Sequence, residues 1–164
     1  MKRVVIVRHA KSVPYGYDDD FNRGLKDRGH NDAGIISDKL KEEDIRPDLI
    51  ISSPAKRALV TAGIYANNLS YPESKILLED DLYDGITTQE FVDILNNLSE
   101  DIETVFVFGH NPIVYYLCGN LVKYFSGDMP TSSTVGIDFE VESWKEISAR
   151  QGRIAFHLVP RDFK

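Results

Sequence analysis

A short apolar run near the start of the chain constrains its fold more than any other stretch. Val4-Val5-Ile6-Val7 is a series of four β-branched residues with no polar interruption. A run of this kind predicts a strand that is buried on both faces, as in the centre of a parallel sheet. Arg8-His9 follows at once. Because open α/β sheets bind ligands at the carboxyl ends of their strands, the pair indicates a ligand site, and a solvated pair at a strand end is the alternative.

Further segments alternate between strand and helix patterns along the chain. Strands are expected at 49–51, 76–78, 104–108, 135–141 and 153–159. Helices are expected from about Asn31, with Asn31 or Asp32 as the N-cap, to the break at Arg46-Pro47, and after the capping-box pattern that begins at Thr87. Two more helices are expected to have Ser53 and Asn111 as N-caps and the prolines that follow them as first helical residues. The last two strands are expected to pair antiparallel.

Two later strands end in the same way as the first. Arg57 falls in the first turn of the helix after strand 49–51, where a cation opposes the helix dipole unless it faces a bound anion. His110 directly follows the strand that ends at Phe108-Gly109. An imidazole or a guanidinium occurs at three comparable positions, and together they indicate one shared anion site. Taken alone, each of them has the alternative interpretation of a solvated surface residue.

Composition limits the functions that the chain can have. Its 164 residues suggest one domain, 1–164, with a sizeable core. A net charge of −7 disfavours general binding to nucleic acid or to an anionic membrane surface. The single cysteine, Cys118, is expected to be a small buried side chain in a reducing compartment. These features, and the lack of a long apolar run, predict a cytoplasmic protein, and we expect a monomer.

The motifs together resemble those of the histidine phosphatase (phosphoglycerate mutase-like) superfamily. The matching elements are Arg8-His9, Ser53-Pro54 with Arg57, and Gly109-His110, in this order along essentially the whole chain. Ala10 stands where the usual Arg-His-Gly motif has glycine. The short length and the Arg23-Gly24-Leu25 segment are similar to the compact SixA-type phosphohistidine phosphatases. The resemblance implies an α/β fold, a three-layer α/β/α sandwich whose central sheet is mostly parallel, with an antiparallel C-terminal strand region.

The resemblance also implies roles for individual residues. His9 would carry the phosphoryl group during turnover, and Arg8, Arg23, Arg57 and His110 would line the phosphate pocket. Arginine suits this task because its guanidinium donates two parallel hydrogen bonds to phosphate oxygens and stays charged. No cofactor and no metal are expected, because the Asp and Glu residues form no pattern of metal ligands with the histidines.

The general acid is the open question. Many members of this family use a carboxylic acid to protonate an alcohol leaving group, and Asp81 and Asp84 in the acidic segment before Gly85 are the candidates here. Imidazole, with a pKa of about 6.5, leaves with less acid help than an alcohol does. The Asp18-Asp19-Asp20 run lies on the loop that is expected near the pocket, where it would disfavour polyanionic substrates.

The combined prediction is a metal-independent phosphatase that works through phospho-His9. Its expected partner is a phosphorylated protein that carries phosphohistidine. The alternatives are a phosphomonoesterase or mutase acting on a small phosphorylated metabolite and a non-catalytic phosphate-binding adaptor. A structural α/β domain with incidental histidines remains the plainest alternative.

Overall fold

A six-stranded mixed sheet forms the middle of the molecule. The computed structural model describes residues 1–14 and 19–164, and the strand order is β3-β2-β4-β1-β5-β6. The strands are β1 (Lys2–Arg8), β2 (Leu49–Ser52), β3 (Leu77–Leu78), β4 (Thr104–Gly109), β5 (Thr134–Phe139) and β6 (Arg153–Leu158). The first four are parallel to one another, and β5 is antiparallel to both β1 and β6. The predicted fold class and the antiparallel pairing of the last two strands are confirmed.

The apolar run that opens the sequence is β1, and it lies in the interior of the sheet. Val4 to Val7 have no exposed surface. Val4 and Ile6 pack into the core on one face of the sheet, while Val5 and Val7 pack into the core on the other face. A strand covered on both faces needs apolar residues at every position, which is why its sequence does not alternate.

Helices cover both faces and complete the three layers. They are α1 (Asp27–Glu42), α2 (Lys56–Asn68), the single turn α3 (Asp81–Asp84), α4 (Thr88–Asn96) and α5 (Ile113–Leu121). The apolar side chains of α1 and α2 belong to one core, and those of α4 and α5 belong to the other. Thr87 and Glu90 form the predicted capping box, and Cys118 is buried as expected. In the described part of the chain no helix has the length and apolar character needed to cross a membrane.

The first helix begins earlier than its cap pattern predicts. Asn31 or Asp32 was the expected N-cap, but α1 starts at Asp27, and Asp32 is buried inside it. The carbonyl oxygen of Lys11 accepts a hydrogen bond from the N–H of Lys26, at 2.9 Å. The start of α1 is therefore determined by its contact with the segment after β1, which a local capping pattern does not include.

Two other helices begin later than predicted. The helix α2 starts at Lys56 rather than at Pro54, because the Ser53 hydroxyl oxygen accepts from the Ala55 N–H and does not reach the first turn. The helix α5 starts at Ile113, after a cis peptide bond between Asn111 and Pro112. The Asn111 side chain donates to the carbonyl oxygen of Met129 instead of capping the helix. The predicted caps Ser53 and Asn111 are therefore wrong, since the N-caps are Ala55, two residues later, and Pro112, one residue later.

Candidate active site

The carboxyl ends of β1, β4 and β2 bring the predicted histidines together. Arg8 is the register partner of Gly109, so that His9 and His110 follow on neighbouring strands. The N–H of His9 donates to the carbonyl oxygen of Gly109 at 3.0 Å. The two imidazole rings lie with their centroids 5.2 Å apart, and both side chains are buried. The strand-end histidines therefore meet at one edge of the sheet, as expected.

His9 has a defined proton position. Its Nδ1 atom lies 2.7 Å from the carbonyl oxygen of Ala10, which can only accept, so Nδ1 carries the proton and donates it. The Nε2 atom therefore has a free lone pair. Burial lowers the pKa of His9 to about 4 against the opposing effect of the Ala10 hydrogen bond, and the charges of Arg57, Arg8 and Arg23 lower it further. A neutral imidazole with a free Nε2 is the form that a nucleophile needs.

Two arginines beside His9 have donors that the protein does not use. The NH1 group of Arg8 donates to the carbonyl oxygen of Met129 at 2.9 Å, and burial lowers the pKa of Arg8. The terminal nitrogens of Arg57 donate to the backbone and the carboxylate of Asp20, at 2.7 and 3.1 Å. In both side chains the Nε atom is buried and has no hydrogen-bond partner among the described residues. Buried donors without a partner are rare in folded proteins, and these two are free to bind an acceptor on a ligand.

His110 adds a third such atom. Its Nε2 lies 2.7 Å from the hydroxyl oxygen of Ser53, whereas its Nδ1 is buried and has no partner within the described residues. Burial lowers the pKa of His110 to about 3, with further lowering by His9 and Arg57, so the ring is neutral near pH 7. Three side chains around His9 thus each have one unpartnered nitrogen, a number that suits an anion with several acceptor oxygens.

Arg23 reaches the site through Asp20. The Nε and NH2 groups of Arg23 donate to Oδ1 of Asp20, and the Tyr83 hydroxyl donates to Oδ2 at 2.8 Å. Burial acts to raise the pKa of Asp20, but the hydrogen bonds from Tyr83 and Arg23 and the charge of Arg57 lower it to about 2. The Asp20 carboxylate is therefore ionised and connects Arg23, Arg57 and Tyr83. Asp18, from the same acidic run, lies outside the described residues.

The two candidate acids are not part of this network. Asp81 and Asp84 lie in α3 with exposed side chains, and neither carboxylate has a hydrogen bond or ion pair with the predicted site residues in the described ranges. The residue of α3 that faces the site is Tyr83, whose ring meets that of His110 edge-on with centroids 5.6 Å apart. Assigning an acid role to Asp81 or Asp84 remains a prediction.

Sequence reasoning missed three residues of the site. Asp20 was considered only as one member of an acidic loop, Ser53 as a helix cap, and Tyr83 not at all. For Asp20 and Ser53, a polar residue close to an expected site residue was a weak signal. Tyr83 gave none, because its contact with Asp20 spans 63 positions of the chain.

The donors present suit an anion rather than a metal ion. Over residues 1–14 and 19–164, no three His, Cys, Asp or Glu side chains are grouped as metal ligands. Guanidinium and imidazole N–H groups cannot coordinate a cation, but they match the oxygens of a phosphoryl group. Independence of metals remains a prediction.

Known proteins resemble the chain in sequence and in fold. The family model of the histidine phosphatase superfamily (branch 1) matches residues 4–100, more than half of the chain. The mitochondrial serine/threonine-protein phosphatase Pgam5 of Drosophila virilis is 32% identical over 75 residues, which are 46% of this chain and 26% of that protein. The chain therefore spans about a quarter of the length of this relative.

Solved structures resemble the chain over nearly its whole length. The protein histidine phosphatase SixA in complex with tungstate superposes with a TM-score of 0.85 at 23% identity, covering 99% of each chain. A candidate phosphohistidine phosphatase SixA from Agrobacterium tumefaciens gives a TM-score of 0.79 at 26% identity, covering 97% of this chain and 98% of its own. These structures share the fold of the chain, and the family model, which begins in β1, matches residues 4–100. On these grounds the chain belongs to the histidine phosphatase superfamily, branch 1.

Proposed function

We propose that the protein is a phosphatase that works through a phosphohistidine intermediate at His9 and acts on phosphohistidine in another protein. One observation carries the proposal. The Nδ1–H of His9 is used by the Ala10 carbonyl, and the free Nε2 lies among side chains with three unpartnered buried nitrogens, two of them on arginines. A neutral nucleophile beside unused cationic donors suits the transfer of a phosphoryl group.

The first half of the reaction forms the phosphoenzyme. The lone pair of His9 Nε2 attacks the phosphorus atom, and a P–N bond forms while the bond to the leaving group breaks. Arg8, Arg57 and the Nδ1–H of His110 donate to the equatorial oxygens, where negative charge is spread in the transition state. Arg23 acts from further away, through Asp20. The arginine side chains supply the positive charge that this step needs, so the proposed reaction requires no metal ion.

The second half returns the enzyme to its starting state. Water attacks the phosphorus atom, the P–N bond to His9 breaks, and inorganic phosphate leaves. The imidazole of His9 regains its lone pair at Nε2, while Nδ1 keeps its proton throughout. The His9 ring carries a formal positive charge while Nε2 is bonded to phosphorus and is neutral again after the P–N bond breaks, and the attacking water loses its proton to phosphate or to solvent.

The leaving group supports phosphohistidine as the substrate. A phosphohistidine ring with a proton on its other nitrogen leaves as neutral imidazole, and this protonation needs no strong acid because the imidazole pKa is about 6.5, whereas an alkoxide from a phosphoserine or a sugar phosphate needs a proton from an acid. The exposure of Asp81 and Asp84 and the low pKa of Asp20 leave the described part of the site without an evident proton donor of this kind. The SixA proteins are named as protein histidine phosphatases, which supports the same class.

A phosphoester substrate is the second candidate. The observation in its favour is the sequence similarity to a relative named as a serine/threonine-protein phosphatase. A substrate panel distinguishes the two: a phosphohistidine protein, a phosphoserine peptide, a sugar phosphate and an activated aryl phosphate. We expect the highest kcat/KM for the phosphohistidine protein, unchanged by a chelator. Faster turnover of the peptide or of the sugar phosphate would reject the substrate assignment while leaving the mechanism intact.

The mechanism has its own test. Rapid mixing with a phosphorus-labelled substrate should trap an acid-labile, base-stable label on the native protein and none on His9→Ala. His30→Ala is the matched control, since His30 is an exposed histidine of α1 outside the site. Turnover by His9→Ala at the native rate would refute the mechanism. Loss of turnover through Asp81→Asn or Asp84→Asn, confined to alcohol leaving groups, would identify the acid.

A further inference from the structure

We infer that Ser53 is a positioning residue that holds His110 in the tautomer with the proton on Nδ1. In this form a neutral His110 presents an N–H to the phosphoryl group without adding charge. The inference rests on the proposed function for its effect on catalysis. The tautomer itself can be measured whether or not the protein is a phosphatase.

The hydrogen bonds of the Ser53 hydroxyl determine its direction. A serine hydroxyl has one proton to donate and two lone pairs that accept. One lone pair of Ser53 accepts the N–H of Ala55 at 3.2 Å. The other close atom is Nε2 of His110, at 2.7 Å, and the hydroxyl has no further partner among the described residues. Ser53 is completely buried, so a hydroxyl proton not given to His110 would be left without an acceptor.

The tautomer of His110 follows from this donation. A neutral imidazole has one protonated and one bare nitrogen, and the nitrogen that accepts from Ser53 is the bare one. The proton is therefore on Nδ1, which is buried and has no partner in the described residues. The opposite tautomer would direct the Nδ1 lone pair at phosphoryl oxygens and repel them. Ser53 thus decides whether His110 attracts or repels the anion.

The position of Ser53 is set by the sheet rather than by a loose loop. Its N–H donates to the carbonyl oxygen of Phe108 at 2.9 Å, directly after the register pair Ser52 and Phe108 of β2 and β4. His110 lies two residues after Phe108 on the same strand end. The hydrogen-bonded pairing of β2 with β4 therefore holds both partners of the Ser53–His110 hydrogen bond, which fixes the tautomer before any substrate binds.

The neighbouring serine supplies a matched control. Ser52 is also completely buried, and its hydroxyl donates to the carbonyl oxygen of Ser53 at 2.9 Å without a hydrogen bond to His110. Ser52→Ala and Ser53→Ala each remove one buried hydroxyl from adjacent positions, so a general loss of stability should affect both. Only Ser53→Ala should change His110. Ser53→Thr keeps the hydroxyl and tests for rescue.

Nitrogen NMR of the protein with labelled histidine reads the tautomer directly. We expect the proton of His110 on Nδ1 in the native protein, in Ser52→Ala and in Ser53→Thr, and a shift toward Nε2 in Ser53→Ala. In turnover of the phosphohistidine protein, we expect kcat to fall about tenfold or more in Ser53→Ala with a smaller change in KM, as loss of a transition-state donor predicts. Ser53→Thr should restore most of kcat.

The outcomes separate the two proposals. A native protein without turnover on any substrate of the panel would count against the proposed function, and the NMR result would still decide the tautomer. A native protein with His110 protonated on Nε2 would overturn the inference. Equal kcat values in Ser53→Ala and Ser52→Ala, with turnover intact in the native protein, would also overturn it.

Discussion

The Nδ1 atom of His9 donates its proton to the carbonyl oxygen of Ala10, 2.7 Å away within the same residue pair. The N–H of Ala10 in turn donates to the hydroxyl oxygen of Thr61, at 2.9 Å, which anchors the acceptor on α2. A backbone carbonyl cannot take up the proton of His9, as a carboxylate can, so Nε2 remains the bare nitrogen. Ala10 is not among the residues with a positive φ, which explains why alanine is compatible with a position where the family usually has glycine.

The rate of phosphoenzyme formation should change little when the solution is made moderately acidic. An ordinary histidine would lose its lone pair below about pH 6.5, whereas burial and the nearby arginines lower the pKa of His9 to about 4. We expect the single-turnover rate with an aryl phosphate to stay within about twofold between about pH 7.5 and 5.5 after correction for the protonation of the substrate. A decline with a midpoint near 6.5 would show that His9 is protonated like a solvated imidazole.

The free energy of unfolding should fall as the pH is lowered from about 6.5 to 4. In this window unfolded histidines bind a proton, whereas His9 and His110, with pKa values lowered to about 4 and about 3, do not. Each imidazole adds a slope of up to about 1.4 kcal/mol per pH unit, with the greater stability at the higher pH. Urea unfolding at several pH values measures this slope. The slope should be smaller in His9→Asn and in His110→Asn than in the native protein.

Removing the charge of Asp20 should tighten the binding of oxyanions. Its carboxylate is ionised and bound to Arg57 and Arg23, so it weakens their attraction for a second anion. We expect Asp20→Asn to lower the Kd for phosphate several-fold, equivalent to about 1 kcal/mol, and to lower that for pyrophosphate more. Calorimetry measures both constants.

The neighbouring Asp19 provides the control for this charge. Its carboxylate caps the turn at Asn22 and has no contact with either arginine in the described residues, so Asp19→Asn should leave both affinities within about twofold of the native values. Weaker binding by Asp20→Asn would mean that Asp20 acts mainly by orienting Arg23 and Arg57. An effect equal for phosphate and pyrophosphate would contradict the discrimination against polyanions.

Alanine substitutions at two glycines of α1 should have opposite effects. A Cβ at Gly29 would overlap the backbone oxygen of Lys11, two residues after His9, whereas a Cβ at Gly34 meets nothing within 4 Å. We expect Gly29→Ala to reduce the free energy of unfolding by about 1–3 kcal/mol and to lower kcat as well. Gly34→Ala should raise stability by up to about 1 kcal/mol through helix propensity, at unchanged kcat. Urea unfolding and steady-state kinetics would show the contrast, and equal stabilities would refute it.

The residues that could be predicted from the sequence are those marked by a local pattern. Val4 to Val7 indicate a buried strand, and an imidazole directly after such a strand falls at the sheet edge, which located both His9 and His110. The three-layer architecture followed from the family resemblance. Ser53 was expected to cap a helix, which is wrong, and its hydroxyl instead has a partner 57 positions away that no local pattern contains.

The remaining errors have the same physical origin. The predicted start of α1 at Asn31 relied on capping propensity, but its contact with Lys11 moved the start to Asp27. Asp20 looked like an ordinary loop carboxylate because its pairing with Arg57 spans 37 positions. Contacts between distant segments decide such positions, and a single sequence gives little information on them.

Catalytic turnover requires that β1, β4 and β2 pair in the correct register. His9 and His110 meet because Arg8 is opposite Gly109, and Ser53 reaches His110 because Ser52 is opposite Phe108. A slip of one residue in either pairing would rotate the affected side chains to the other face of the sheet. Molecules with misaligned strands would thus be catalytically inactive even if they were compact and helical. An active-site titration would therefore count only the molecules in a preparation whose strands pair in the correct register.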